Sequence, residues 1–446
     1  MPRVKPQLLK GTRDLLPERM LLRHHVVGKL RAVFERFGFE PLETPALEYA
    51  ETLEGKLGPE GDMLMYRFED RGGRRVALRY DLTVPFARVV ALYPELPRPF
   101  KRYQIAPVWR AESPQRGRYR EFWQCDADVA GAASVLADAE LVALTHAGFA
   151  ALGFERYSIR VNHRRLLAAL AEQAGVAHER TMVAFRALDK LAKIGHAAVC
   201  EEMVAGGVAL AAAERLLASV AAIGPADGVL ADLDRALDGH AAGRQAVAEL
   251  RALFDGLAAL GVPDGVAVVD CTMVRGLDYY TGPIYETTIE EPKIGSVSGG
   301  GRYDELIGMF AGQPVPATGV SFGLERVVDV LEALGKRPAE VGRTVTEALV
   351  TVFDAGTLVA SLVTVAELRA AGLRAEVALD HRDLGRQLKY ADRKGIPLAV
   401  LLGPDELAAG EALVKDLRLG EQTRVPRPQL VAHLRAALGA AGRALP

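Results

Sequence analysis

YQIAPVWRAESPQRGRYREFWQCDADVAG, residues 103–131, is the stretch on which the reading of the fold turns. It reads as two strands joined by a polar loop, Ser113–Tyr119, with Pro114 and Gly117 punctuating the turn. Strand side chains alternate faces, so Arg110 and Glu112 point one way while Trp109 and Ala111 point the other. On the second strand Phe122, Gln124, Asp126 and Asp128 share a face, and Trp123, Cys125, Ala127 and Val129 share the opposite one. An ordinary half-buried hairpin alternates in the same way with its polar row in water. This row mixes charge, amide and aromatic groups, a combination that suits a small polar ligand better than plain solvent.

Size and composition set the limits around that hairpin. A chain of 446 residues has room for two or three domains, each with its own core. Half the residues are hydrophobic, 25% are charged and the net charge is −2, which describes a globular chain rather than a generally basic nucleic-acid binder, although a local basic patch is compatible. Cys125, Cys200 and Cys271 stand at no metal-ligand spacing, and an odd, scattered set suggests a reducing compartment. No apolar run approaches the roughly 20 residues of a membrane helix, so no membrane association is expected. MPRVKPQLLKG lacks an apolar signal core, which makes the cytoplasm the expected address.

Upstream, KGTRDLLP (10–17) is turn-like, with Pro17 near a helix start. Leu22, Val26, Val27, Leu30, Val33, Phe34 and Phe37 recur at helical spacing and predict a long amphipathic helix ending at Gly38. EPLETPALEY (40–49) carries Pro41 and Pro45, which exclude a central strand and leave an edge or subunit-contact strand, or a plain loop. VALRYDLTVPFARVVA (76–91) predicts a strand turning into a helix at Pro85. Its Asp81 and Thr83 could face one pocket together or cap that helix.

Downstream, a short strand over 157–161 leads into an Ala- and Leu-rich helical region running to about residue 260, without clustered reactive side chains. Its Lys190 and Lys193 read as a solvated helix face, and the whole as a helical insertion packed by propensity and amphipathicity. The sheet resumes at 267–271 and is followed by TMVRGLDYYTGPIYE (272–286), where Arg275, Asp278, Tyr279 and Tyr280 cluster. SVSGGGRYD (296–304) contains a triple glycine that by itself reads as a tight turn or as a functional loop. ATGVSFGLERVV (317–328) predicts a strand entering a helix that carries Glu325 and Arg326. After a Gly-, Lys-, Arg- and Pro-bearing linker, apolar strands at 349–353, 375–379 and 398–402 alternate with helical patterns at 358–371, 384–394 and 429–438, which predicts a small α/β domain. There Arg382, Arg386, Lys389 and Arg393 fall three or four residues apart, a basic stripe open to two readings, solvated face or RNA contact.

KGTRDLLP, LRYDLTVPFAR, VWRAESPQRGRYREFWQCDAD, RGLDYYTGPIYE, SGGGRYDEL and GVSFGLERV together resemble the histidyl-tRNA synthetase family of class II aminoacyl-tRNA synthetases, in the family's order and over nearly the whole chain. The resemblance implies an α+β fold: a class II catalytic core built on an antiparallel sheet over 1–334, with a helical insertion at about 162–262. A linker at 335–344 and an α/β anticodon-binding domain at 345–446 would complete it. It also implies a ligase that joins L-histidine to ATP, giving histidyl-adenylate, and passes histidine to the 3′ end of tRNA(His), with Mg2+ on the nucleotide and no protein metal site.

By that resemblance Arg110 binds the α-phosphate and the substrate carboxylate, Arg326 binds ATP, Glu112 contacts or orients ATP, and Arg275 stands against the α-phosphate. These four form the expected catalytic set, Arg110 and Arg275 also touching histidine. Asp128 would accept an imidazole N–H, with Tyr280 at the other ring nitrogen. Asp81, Thr83 and Gln124 would hold the ammonium group, which turns the open reading of Asp81 and Thr83 toward ligand contact. Tyr279 and Tyr303 would line the pocket. Arg116 and Arg118, with Arg120, would face the tRNA acceptor end, and the basic stripe would meet the anticodon region. The proline-bearing edge strand matches the family's dimer element, so a homodimer is expected.

The chain departs from many bacterial members, which have Arg-His-Glu at Arg110-Ala111-Glu112, Glu at Asp81 and Asp128, and Gly at Asp126; QCDAD and RYDLT resemble the eukaryotic-type branch. Two rival readings use the same likeness: a non-catalytic regulatory subunit of histidine biosynthesis, and a sensor domain that binds uncharged tRNA.

Overall fold

The computed structural model describes residues 4–56, 62–115, 117–274, 279–292, 294–338, 341–379 and 383–439. They divide into two compact units, Met1–Arg13 with Val26–Leu334, and Asp14–His25 with Gly335–Pro446.

The first unit is built on β1 (Glu40–Pro41), β2 (Leu47–Tyr49), β3 (Arg67–Glu69), β4 (Arg75–Leu78), β5 (Phe100–Trp109) and β6 (Glu121–Ala130). These are followed by β7 (Tyr157–His163), β8 (Ile223–Gly224), β9 (Ala267–Asp270), β10 (Pro283–Ile289), β11 (Ser296–Arg302) and β12 (Ala317–Gly323). Nine of them form one sheet in the order β1-β5-β6-β12-β11-β10-β7-β9-β8, antiparallel from β5 to β7, with β1 and β9 joining in parallel. β2, β4 and β3 make a separate three-stranded sheet. Pro41 sits in the edge strand, where a missing N–H costs no ladder bond.

One face of the large sheet is the apolar row foreseen on β6. Cys125, Ala127 and Val129 are buried there, and Phe322 of β12 packs against Phe149 and Phe34, with ring centroids 5.4 and 5.9 Å apart. Phe34 belongs to the helix Pro17–Arg36, and Phe149 to the helix Leu136–Ala151. Burying aromatics on one face leaves the other free to carry the polar row. Between β7 and β9 the chain forms the expected insertion, with helices Arg164–Gln173, Thr181–Leu188, Leu191–Ala205, Leu210–Ser219, Ala226–Ala236 and Ala241–Ala259. Lys190 sits on an exposed surface there beside Glu202, which agrees with a solvated face.

Three local readings need correction. β5 ends at Trp109, so Arg110 and Glu112 lie on the connection to β6 and not on the strand itself. The helix after β4 begins at Thr83, two residues before Pro85; proline is tolerated in a first turn because the amide it lacks has no intrahelical partner there. The triple glycine is no turn. Gly299, Gly300 and Gly301 are consecutive residues of the central strand β11.

The second unit holds a five-stranded sheet in the order β14-β13-β15-β16-β17, from β13 (Ala348–Val350), β14 (Ala375–Val377), β15 (Leu398–Leu401), β16 (Glu411–Asp416) and β17 (Gln422–Pro426). The first three strands are parallel and separated by the helices Leu358–Ala370 and Leu384–Lys394, as the alternation of patterns predicted. The antiparallel pair β16–β17 escaped the sequence reading, because its inward residues, Ala412, Val414 and Val425, are few and are separated by charges.

The glycine run explains how β10, β11 and β12 pack. A Cβ on Gly300 would stand 1.9 Å from the Gly319 carbonyl oxygen and 2.7 Å from the Tyr285 ring. Tyr285 is fixed by its hydroxyl, which donates to Gly319 O (3.0 Å) and shares a second hydrogen bond with the Thr318 hydroxyl (2.9 Å), so neither neighbour can move aside. Gly300→Ala is therefore expected to cost about 3 kcal/mol or more in denaturant unfolding. Gly228→Ala, on an insertion helix with open space around it, should instead gain roughly 0.5–1 kcal/mol. Equal effects at both positions would contradict this packing.

Candidate active site

The polar face of β6 sets Gln124, Asp126 and Asp128 in a row, all buried. Register places Arg102 and Gln104 of β5 opposite Asp128 and Asp126, and Gly319 and Ser321 of β12 opposite the same two on the other side. A Cβ on Gly319 would lie 1.9 Å from Asp128 Oδ1, so only glycine leaves room for that carboxylate.

Arg102 is fully buried among these groups. Its Nη2 donates to Leu82 O at 2.9 Å and lies 2.8 Å from Asp128 Oδ2, while its guanidinium stacks over the Phe86 ring at 4.6 Å. Tyr303 donates its O–H to Asp128 Oδ1. Burial raises the Asp128 carboxyl above the ordinary range, with Arg102 and the Tyr303 hydroxyl opposing the rise. Asp126 has less help. Neither of its oxygens has a hydrogen-bond partner among the described residues, and burial pushes its carboxyl up to about 8 against the pull of Arg102 and the adjacent Ser321 hydroxyl.

Asp81 joins the cluster from the start of the helix Thr83–Leu92. Its Oδ1 accepts the Val84 N–H at 3.2 Å, and its Oδ2 has no partner among the described residues. Its two oxygens therefore differ: one accepts an amide of the helix's first turn and the other is buried and left open. Burial lifts the carboxyl to about 6, against the caps and charges of Val84, Arg110 and Arg102. Gln124 likewise donates Nε2 to Ser321 Oγ at 2.7 Å and leaves Oε1 without a partner among the described residues. Thr83 is buried beside Asp81 at the first helical position.

Three tyrosines complete this group. Tyr279 meets Tyr280 with ring centroids 4.8 Å apart and Tyr303 edge-on at 5.7 Å. Burial, with Tyr280, Asp81 and Asp128 close by, raises the Tyr279 hydroxyl well above its usual value, so it stays a neutral donor. Asp81, Asp128, Tyr279, Tyr280 and Tyr303 thus share one buried neighbourhood, with Thr83 two residues beyond Asp81 and Gln124 four residues before Asp128 on β6. A site of this kind can offer acceptors through Asp81 and Gln124 and donors through the phenols.

Arg110, Glu112, Arg118 and Arg326 form a second group around the β5–β6 connection. Arg110 Nε donates to Tyr80 O at 3.0 Å with its guanidinium over the Phe122 ring at 5.1 Å, and its charge is felt by Asp81. Arg326 donates to Gly117 O at 3.0 Å and Ser296 O at 2.5 Å, which ties the helix Leu324–Ala333 to that loop. Glu112 lies 3.8 Å from Arg118, whose side chain is half exposed. Arg120 Nε donates to Glu112 O at 3.1 Å. Arg116 and Arg275 lie outside the described residues, as does Arg382.

In the second unit Arg386, Lys389 and Arg393 are exposed on the helix Leu384–Lys394. Asp383, which caps this helix by accepting the Arg386 N–H at 3.1 Å, also pairs with the Arg386 side chain at 3.2 Å.

Sequence reasoning placed Asp126 in the polar row without giving it a role, and it missed Arg102 and Ser321 as neighbours of that row. The signal existed for Arg102: carrying the β5 alternation two residues back from Gln104 puts it on the face of the acids. Ser321 became visible only through register, which no local pattern supplies.

Comparison with known proteins gives a consistent picture. A family model described as histidyl-tRNA synthetase matches residues 11–327, and one described as an anticodon binding domain matches residues 358–437. The histidine–tRNA ligase of Gloeobacter violaceus is 42% identical over 448 residues, covering 93% of this chain and 95% of that protein. The histidine–tRNA ligase of Aeropyrum pernix is 43% identical over 430 residues, covering 96% and 97%. The crystal structure of histidyl-tRNA synthetase from Nostoc sp. PCC 7120 superposes with a TM-score of 0.85 at 32% identity, covering 98% of this chain and all of that one.

The raised carboxyls carry a stability signature. Asp81 and Asp126, at about 6 and about 8 in the folded chain, hold protons more tightly than at their ordinary value of 3.8. Their contribution to stability is complete below that value and fades as pH rises through the folded values. Asp126→Asn removes one of them, so the variant should gain stability relative to the wild type between pH 5 and pH 9, by on the order of 2 kcal/mol. Chemical denaturation across that range checks this, and a pH-independent difference would refute it.

Proposed function

The chain belongs to the histidyl-tRNA synthetase family, and from that premise we propose how it works as a histidine–tRNA ligase. In the first step an oxygen of the histidine carboxylate attacks the α-phosphate of ATP, forming histidyl-adenylate and releasing pyrophosphate. In the second a ribose hydroxyl at the 3′ end of tRNA(His) attacks the acyl carbon, and AMP leaves. Negative charge builds at phosphorus and then at the acyl carbon, so the protein must hold fixed cations and donors at those atoms. Arg110 serves the α-phosphate and the substrate carboxylate, Arg275 stands against the α-phosphate, Arg326 holds ATP, and Glu112 orients it.

Histidine is held by the buried row. Asp128 accepts an imidazole N–H with lone pairs beyond those that Tyr303 and Arg102 occupy, and Tyr280 meets the other ring nitrogen. Asp81, Thr83 and Gln124 take the ammonium group, while Tyr279 and Tyr303 wall the pocket. The observation that carries this reading is the pair of buried acceptors with no partner among the described residues, Asp81 Oδ2 and Gln124 Oε1, the first of them close to Asp128 and Tyr279. Apolar amino acids would leave those groups desolvated and unpaired, and are rejected on that ground.

Mg2+ enters with ATP and, when bound, neutralises its phosphates. Among the described residues no three His, Cys, Asp or Glu side chains converge on a metal position, and Glu112 is the carboxylate this reading places nearest the nucleotide. We assign residues 1–334 to the catalytic unit, 335–344 to the linker and 345–446 to the anticodon-binding unit. Arg116 and Arg118 face the acceptor end, and Arg382, Arg386, Lys389 and Arg393 meet anticodon-region phosphates. The same reading makes the enzyme a cytoplasmic homodimer. The dimer is supported by exposed Leu47, Tyr49 and Phe68 on β2 and β3, an apolar surface suited to a second copy. Among the described residues no helix is long and apolar enough to cross a membrane.

Histidine-dependent ATP–pyrophosphate exchange tests the function and separates it from a regulatory or sensor role, which would bind without exchange. Arg110→Ala should lower kcat/KM about 10²–10³-fold. Arg110→Lys should rescue little, because an ammonium group cannot reproduce the planar fork. Unchanged exchange in Arg110→Ala would contradict the electrostatic role. Replacing Arg386, Lys389 and Arg393 together by Glu should leave exchange intact and raise KM for tRNA at least tenfold in aminoacylation. Equal loss in both assays would place the stripe elsewhere in the mechanism.

A further inference from the structure

Asp126 is the one member of the β6 row to which the reaction above gives no task. It is 1% exposed, and neither of its oxygens has a partner among the described residues. Alternation on the strand puts it midway between Gln124 and Asp128, on the face they share. The groups that bear on it come from every neighbouring element: Arg102 opposite Asp128 on β5, uncharged Gln104 directly across from it, buried Arg79 just after β4, Asp128 on its own strand, the Ser321 hydroxyl on β12, and Asp81 ahead of the helix Thr83–Leu92. Three carboxyls therefore lie near Arg102, and Arg79 adds a second buried cation on the side of Asp126. Buried carboxyls left without partners call for a polar or cationic occupant.

We propose that Asp126 is a third, specificity-determining carboxylate of the amino-acid pocket, supplying negative charge that the ammonium group of the substrate neutralises, and that its proton leaves when that cation binds. This rests on the reading that the pocket takes histidine. If Gln124 holds the ammonium end and Asp128 the ring, Asp126 lies beneath the segment that joins them. In the empty pocket its carboxyl, pushed up to about 8, keeps its proton at neutral pH. The arriving ammonium favours the ionised form, the O–H bond breaks, and the proton passes to solvent. The pocket thereby avoids three unpaired charges when empty and presents a full charge only to a ligand that carries a cation at this point.

Calorimetric titration of the full chain with histidine at pH 7.5, in two buffers of different ionisation enthalpy, counts that proton. The wild type is expected to release roughly half a proton to one proton per histidine. Asp126→Asn should release close to none, raise KM for histidine about tenfold in pyrophosphate exchange and leave kcat within about threefold. A merely structural Asp126 would predict no change in proton count, and a variant releasing as many protons as the wild type overturns the proposal. Should Asp126→Asn fail to fold, the wild type alone decides: release must peak near pH 7–8 and vanish above about pH 9.5, and a flat profile overturns the proposal. Histidine binding without proton release removes this inference and leaves the proposed function standing. A wild type that neither binds histidine nor exchanges pyrophosphate removes both.

Discussion

A buried cation, Arg102, organises the polar face of this sheet. Arg102 is fully enclosed, and an isolated charge in such a place would be strongly disfavoured. It persists because Asp128 stands 2.8 Å away, Leu82 offers a carbonyl and Phe86 offers a ring face. Burial raises the carboxyls of Asp81, Asp126 and Asp128, and Arg102, helped by Arg110 near Asp81 and Arg79 near Asp126, offsets that rise only in part. Replacing the whole cluster by apolar side chains would give a simpler core. Retaining it makes sense where the missing charge arrives with a ligand.

That electrostatic arrangement imposes demands on the backbone around it. Asp128 fits only because Gly319 has no side chain, and β12 approaches β11 closely only because Gly300 has none. The opposite face is tied to the same strands through Phe322, Phe149 and Phe34, so the polar row is held from behind by an aromatic layer. The arginines of the nucleotide region belong to less regular segments, on the β5–β6 connection and the helix after β12. Under the proposed reading, precision for the amino acid comes from strands, and reach toward the nucleotide and the tRNA end comes from a loop.

Much of this was legible in the sequence. Alternation over residues 121–130 placed Gln124 and Asp128 on one face correctly, because a strand buried on both faces has no freedom to shift its register by one residue. Asp81 and Thr83 were ambiguous locally, and in the structure Asp81 accepts the Val84 N–H with one oxygen and buries the other without a partner among the described residues. The triple glycine misled, because its usual role in turns is conformational while its role here is lateral space between strands. Arg102 was missed because a single arginine beside a lysine looks solvated until the partner strand brings Asp128 opposite. Pairing across strands, as between Asp126 and Ser321, is set by distant segments, and no window along the chain contains it.

The most direct test of the central claim is a crystal structure of the chain with histidine bound. The amino acid should lie along β6, with an imidazole nitrogen about 3 Å from a carboxylate oxygen of Asp128 and the ammonium group beside Asp81 and Gln124, while the contact between Arg102 and Asp128 stays in place. Histidine bound away from this row, or a pocket filled by water while histidine occupies another site, would contradict it.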